Sequence, residues 1–126
     1  MPPEAFQYAV IRIVPRVERG ECLNAGIVLL CRGRRYLGAR VELDEGRLRA
    51  LAPAVDLAAV RRHLDAFERV ARGGADAGSI GALDAAERFH WLVAPSSTVI
   101  QPSDVHTGLT DDPAAELDRL FRQLVL

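Results

Sequence analysis

The longest apolar run of the chain, AGIVLLC at residues 25–31, is the feature that most constrains its fold. The run is far shorter than the ~18 residues that a membrane-spanning helix needs. A short, continuous apolar run of this kind is typical of a strand covered on both sides. The segment 6–14 is aromatic and β-branched, and its two alternating faces are both largely apolar. The sequence therefore predicts a sheet whose central strands have protein packed on each side.

Residues 35–43 alternate apolar and polar side chains, which is typical of a strand with one wet face. Three later segments have an apolar stripe at helical spacing, and each begins at an aspartate suited to cap a helix. We predict a single α+β domain over residues 1–126, with helices packed against a mainly antiparallel sheet of about four strands. The predicted strands are 6–14, 25–31, 35–43 and 97–101, and the predicted helices are 56–72, 84–92 and 113–125.

Composition narrows the class of protein. The apolar fraction of 49%, the charged fraction of 26% and the net charge of −1 are those of an ordinary soluble domain. This charge argues against bulk electrostatic binding to nucleic acid or to a membrane, although a local patch that binds nucleic acid stays open. All sixteen basic residues are arginine, so no lysine is present to act as a Schiff-base nucleophile. With two cysteines and no segment like a signal peptide, we expect a cytoplasmic protein.

Unexplained polar side chains are concentrated in the late segment 91–113. The first strand carries Arg12 on a face that we expect to be covered, where a charge needs a partner. If the late strand pairs beside the first strand, its hydroxyl, amide and imidazole groups meet arginines at one end of the sheet. Arginine forks with hydroxyl and amide groups suit an anion or a nucleotide phosphate. The predicted ligand-binding residues are Arg12, Arg19, Asn24, Thr98, Gln101, His106 and Thr107. The alternative is structural: turns and caps use the small polar residues, and Arg12 is tied to Glu21.

Catalytic and metal-binding patterns are weaker. Asp104 and His106, with Ser97 or Ser103, have the residue types of a nucleophilic triad, but no G-x-S-x-G elbow is present. Oxygen and imidazole ligands for a metal lie between residues 104 and 112, yet Asp112 is better explained as a helix cap. The two cysteines, at positions 22 and 31, lack zinc-knuckle spacing. We predict no catalytic residues, no metal and no cofactor.

Several motifs together resemble one family, that of domain of unknown function 3037. They are YAVIR at 8–12, RGE at 19–21, NAGIVL at 24–29, RF at 88–89, and the run from residue 94 through HTG at 106–108 to DDP at 111–113. The resemblance covers nearly the whole chain. It implies a small stand-alone cytoplasmic bacterial protein with no established activity, from a family whose members are often encoded beside a HipA-like kinase.

Two functional hypotheses follow, and they come from different classes. The first is a non-catalytic accessory or interaction protein, with a HipA-like kinase as partner. The alternative is an anion- or nucleotide-binding domain, or one that handles phosphodiesters, and it would use the arginine and histidine cluster. A homodimer through the edge of the strand Tyr36–Leu43 is a third possibility, although arginines protect that edge.

Overall fold

One antiparallel sheet, with five strands among the residues that the structure describes, organises the molecule. The structure, a computed structural model, describes residues 2–95 and 98–126. The strands are β1 Glu4–Ile13, β2 Leu23–Cys31, β3 Tyr36–Val41, β4 Ile100–Pro102 and β5 His106–Thr110. The order is β3-β2-β1, and the other side of β1 pairs with β4 along its end and with β5 along its beginning. The α+β prediction and the return of the late segment onto β1 are therefore confirmed.

In the part of the chain that the structure describes, four α-helices accompany the sheet: α1 Glu45–Leu51, α2 Leu57–Arg72, α3 Ala85–Leu92 and α4 Pro113–Leu124. Short 3-10 turns occupy Val17–Arg19, Arg32–Arg34 and Ala75–Ala82. Each α-helix begins after an aspartate whose carboxylate accepts the backbone N–H three residues later, which satisfies an otherwise unpaired donor. These aspartates are Asp44, Asp56, Asp84 and Asp112. No helix among the described residues is both long and apolar enough to cross a membrane.

The sheet separates two apolar cores. Ile11 and Ile13 of β1 point into the larger core, which includes Leu48, Leu64 and Phe89 of α1, α2 and α3. The opposite face carries Phe6 and other alternate residues of β1 and β2, and α4 packs against it. The buried members of this smaller core are Phe6, Ile27, Leu29, Cys31, Leu117, Leu120, Phe121 and Val125. Side chains on both faces of β1 and β2 thus contribute to a core, as the apolar composition of these strands predicts.

Two sequence predictions differ from the structure. The late strand expected at 97–101 is shorter, at Ile100–Pro102, and the unpredicted strand β5 follows it; Ser97 lies outside the described residues. As large apolar side chains of the predicted helix 84–92, Trp91 and Phe89 are both expected in the core; Phe89 is fully buried, but Trp91 is 52% exposed. The indole lines a surface groove, whereas Phe89 and Leu92 are the buried residues of α3.

Candidate functional site

A bulge in the edge of the sheet places the late polar residues beside β1. Between β4 and β5, the Ser103 N–H donates to the Val10 carbonyl at 2.8 Å, and the Val10 N–H donates to Ser103 Oγ at 2.8 Å. The serine hydroxyl thus replaces a backbone acceptor where the strand departs from regular pairing. These two bonds hold the chain beside β1 through the bulge. β4 and β5 therefore pair with the same side of β1, one after the other.

One half of the smaller-core face is left open. α4 packs over β2 and β3: Leu117 lies against Gly38, and the Arg40 guanidinium lies 4.3 Å from the Phe121 ring centroid. Tyr8, Val10 and Arg12 of β1 are consequently half-buried rather than covered. We define the open face by the residues Tyr8, Val10, Arg12, Asn24, Gln101 and His106.

Direct cross-strand pairing brings three of the predicted residues side by side on this face. Arg12 is opposite Asn24 of β2 on one side and opposite Gln101 of β4 on the other. Residues directly opposite one another in an antiparallel sheet point to the same side. Asn24 Nδ2 donates to the Leu124 carbonyl at 3.0 Å, and Gln101 Nε2 donates to the Thr98 carbonyl at 2.8 Å. Both amides are therefore held in place beside the guanidinium.

The Arg12 guanidinium has hydrogen-bond donors that are not fully paired at this position. Its Nη2 donates to the Pro102 carbonyl at 3.3 Å, a long hydrogen bond, and its buried Nε has no hydrogen-bond partner among the described residues. Within residues 2–95 and 98–126, no carboxylate forms an ion pair with it. The expected tie to Glu21 is absent, because Glu21 accepts from Arg19, and this bond lowers the pKa of the Glu21 carboxyl. A buried donor without a partner costs free energy, so an anion here would be favoured.

His106 lies farther along the same face. It is opposite Tyr8, and the two ring centroids are 5.2 Å apart with the planes tilted by 34°. His106 is exposed, so its imidazole nitrogens are accessible from solvent. Because Tyr8 and Arg12 are four residues apart on one strand, the aromatic pair and the guanidinium are about 13 Å apart along the face. The open face thus has a cationic end and an aromatic end.

Three predicted site residues are placed elsewhere. Thr98 lines a groove on the larger-core side, and its Oγ1 donates to the Ile100 carbonyl at 2.9 Å. Thr107 is opposite Gln7, on the side of the sheet away from His106. Arg19 lies in the turn after β1, where its exposed side chain pairs with Glu21. The expected cluster is therefore divided by the sheet, and the assignment of these residues to a ligand stays a prediction.

The groups considered for catalysis have structural contacts. The Ser103 hydroxyl accepts from Val10 and donates to the Asp104 carbonyl at 2.9 Å, while His106 contacts Tyr8. The Asp112 carboxylate caps α4 by accepting from the Ala115 N–H. In the part of the chain that the structure describes, no group of three His, Cys, Asp or Glu side chains is arranged to hold a metal ion.

Sequence reasoning missed Tyr8, Val10 and Trp91. The alternation of β1 contains the signal for the first two, since they occupy the same face as Arg12. Trp91 borders a groove of about 310 Å³ between α2, α3 and β4. The residues lining this groove are His63, Ala66, Phe67, Trp91, Leu92, Ala94, Pro95, Thr98, Ile100 and Pro102.

A layered α+β domain with one half-covered sheet face is the class that this geometry defines. The family model described as "Protein of unknown function (DUF3037)" matches residues 8–125, and the chain belongs to this family. No curated protein and no solved structure shows significant similarity to it.

Proposed function

We propose that the chain is a non-catalytic interaction protein that binds a partner protein through the open face. One observation carries the proposal: α4 covers β2 and β3 but leaves Tyr8, Val10 and Arg12 of the central strand accessible. Tyrosine and arginine are enriched among residues that dominate protein interfaces, because they combine apolar area with polar groups. Their positions on a central strand, held from both sides, make the surface preorganised for a partner.

A HipA-like kinase is the partner that we propose, on the basis of the gene association implied by the family resemblance. This pairing would place the protein in the cytoplasm. The unpaired thiols of Cys22 and Cys31 are consistent with a reducing compartment.

The test is calorimetric titration of the purified kinase from the same genome with wild-type chain and with two variants. His106→Ala and Arg12→Gln remove an exposed ring and a charge from the open face, so each should weaken binding about tenfold or more. Val17→Ala is the matched control, because Val17 is 47% exposed in the turn after β1 and is not part of the open face. Absence of heat with the wild type, or equal affinity in all variants, would contradict the proposal.

Anion binding is the second candidate function, and the unpaired Nε of Arg12 is the observation that favours it. Inorganic phosphate and nucleoside monophosphates are suitable probes, since each offers oxygens in the geometry of a guanidinium fork. Wild-type chain should be stabilised against heat by these probes, and Arg12→Gln should lose that effect. Arg16→Gln, which removes an exposed arginine paired with Glu18, should keep it. An equal shift in both variants would exclude Arg12 as the binding group.

A further inference from the structure

The outer edge of β5 is an unprotected strand. Within the described residues, β5 pairs only with β1, so alternate N–H and C=O groups of His106–Thr110 point away from the sheet. The strand itself contains no charged residue and no proline, two of the features that normally prevent an exposed edge from pairing with another chain, and the bulge at Ser103 lies before it. The opposite edge, β3, differs because Arg40 lies on it and pairs with Asp118 of α4.

Exposed apolar side chains occur at the same edge. Leu109 is 70% exposed and Val105, which directly precedes β5, is 38% exposed. They are four residues apart, with Thr107 midway between them, so strand alternation puts all three on one side of the sheet. This spacing is symmetric about Thr107.

We propose that a second copy of this chain pairs with β5 in antiparallel orientation, about a two-fold axis at Thr107. Such an axis places Val105 of each copy opposite Leu109 of the other and Thr107 opposite Thr107. A two-fold interface requires a surface that is complementary to itself, and this segment meets that requirement. Apolar pairs and threonine pairs across strands are favourable contacts.

Charge selects this register over the neighbouring one. An axis at Gly108 would put Asp104 of one copy opposite Asp112 of the other, and like charges directly opposite destabilise a sheet. With the axis at Thr107, Asp104 is opposite Thr110 instead. The net charge of −1 per chain adds little repulsion between copies.

Pairing of this kind would join the two sheets and place both open faces on the same side. His106 of one copy would then lie opposite Gly108 of the second copy, so each copy would contribute backbone to the aromatic end of the other copy's open face. This inference does not depend on the proposed kinase partner or on anion binding at Arg12.

Self-association is measured by sedimentation equilibrium over a wide concentration range. The apparent mass should rise from 13.8 kDa toward twice that value. Leu109→Lys adds a charge at an exposed edge position and should weaken association about tenfold or more. Val17→Lys, an exposed apolar-to-lysine change away from the edge, should not. A wild-type chain that stays monomeric throughout overturns the proposal, as does equal association of the two variants.

Disulfide trapping tests the register. In a Cys22→Ser background, Thr107→Cys places two thiols opposite each other at the axis, within the Cα separation that a disulfide bridges. Leu109→Cys is the matched control on the same edge, because its two copies would be about 13 Å apart. Rapid cross-linking of Thr107→Cys alone supports the proposal. Cross-linking of Leu109→Cys at the same rate or faster indicates random collision and overturns it, with the kinase and anion proposals unaffected.

Discussion

Arg88 shows how one residue can connect two helices. Its Nη1 donates to the Val70 and Ala71 carbonyls at 2.9 and 2.8 Å, and its Nε donates to the Leu83 carbonyl at 3.1 Å. The last carbonyls of an α-helix have no donor four residues later; here the Val70 carbonyl also accepts from the Gly73 N–H at 3.1 Å, and a cation at this end interacts favourably with the helix dipole. This arrangement gives a structural reason for the RF pair that forms part of the family resemblance.

Replacing Arg88 should therefore destabilise the fold. We expect Arg88→Ala to reduce the free energy of unfolding by about 2–3 kcal/mol, because it leaves carbonyls near buried Val70 and Ala71 without their charged donor. Denaturant unfolding measures the change. Arg61→Ala removes a 53% exposed arginine that pairs with Glu45, and it should cost less than about 1 kcal/mol. Equal losses in the two variants would contradict this role for Arg88.

Glu68 gives a prediction about pH. Burial against the sheet raises the pKa of its carboxyl above the ordinary 4.5, and nearby Asp65 raises it further, while Arg72 and Arg40 oppose the change. The folded state then holds this proton more tightly than the unfolded state, so the stability that Glu68 contributes is lost as pH rises through the folded pKa.

Glu68→Gln should consequently be more stable than the wild type at neutral pH, by less than about 1 kcal/mol since the site is partly solvated. The advantage should disappear well below pH 4.5, where the Glu68 carboxyl is protonated in both the folded and the unfolded state. Urea unfolding at several pH values measures the difference. Glu18→Gln should show no such gain, because hydrogen bonds from its own backbone and from Arg16 lower the pKa of that carboxyl. A gain for Glu68→Gln that is the same at every pH would contradict the titration argument.

Among the elements, β2 contains a position that has no room for a larger side chain. A Cβ at Gly26 would lie 2.7 Å from the Arg40 carbonyl and 2.8 Å from Val41 Cγ1, and the β1–β2 register shifts at the same place. A glycine inside a strand is typical of a bulge or of a close backbone approach, and both are present here.

Gly26→Ala should therefore cost about 1–3 kcal/mol, since neighbouring backbone has to move to accept the methyl group. Thermal and denaturant unfolding would show the loss. Gly46→Ala in α1 is the control, because its Cβ would meet only Asp44 Oδ1 at 3.5 Å and alanine favours helix by up to about 1 kcal/mol. If Gly26→Ala were as stable as the control, the close approach to β3 would make no difference to the free energy of unfolding.

The helices that local sequence features define could be predicted. The strand β5, which forms only through its contact with β1, could not. Three helix starts could be identified at Asp56, Asp84 and Asp112, because a capping aspartate and the apolar stripe that follows it are local features of the sequence. β5, with the sequence HTGLT, lacks an apolar alternation. It becomes a strand because β1 offers an edge and Ser103 completes the bulge before it.

The dependence on tertiary contact also explains why the predicted site residues lie on both sides of the sheet. Gln101 was correctly expected near Arg12, since the late segment returns to β1. Thr98 and Thr107 lie on the other side because a strand reverses its side-chain direction at each residue, and the bulge between β4 and β5 cannot be positioned from sequence. Pairing was thus predictable, whereas the face on which each residue lies was not.

At the scale of the whole molecule, the two cores share one sheet. Leu64 of α2 is buried in the larger core and Leu120 of α4 in the smaller one, and β1 and β2 supply side chains to both. Loss of either core would remove support from the same two strands. We therefore predict that residues 1–126 unfold as one cooperative domain.

Two core substitutions, each followed with two spectroscopic probes, test whether the chain unfolds as one cooperative domain. Leu64→Ala and Leu120→Ala should each cost about 2–5 kcal/mol, because each leaves a cavity. Trp91, the single tryptophan, lies beside the larger core, so its fluorescence reports that side, while circular dichroism reports all helices including α4. If the sheet couples the cores, both probes give the same denaturation midpoint in both variants. A Leu120→Ala chain whose helical signal falls before its tryptophan fluorescence changes would show that α4 and its core unfold separately, and the single-domain prediction would then be wrong.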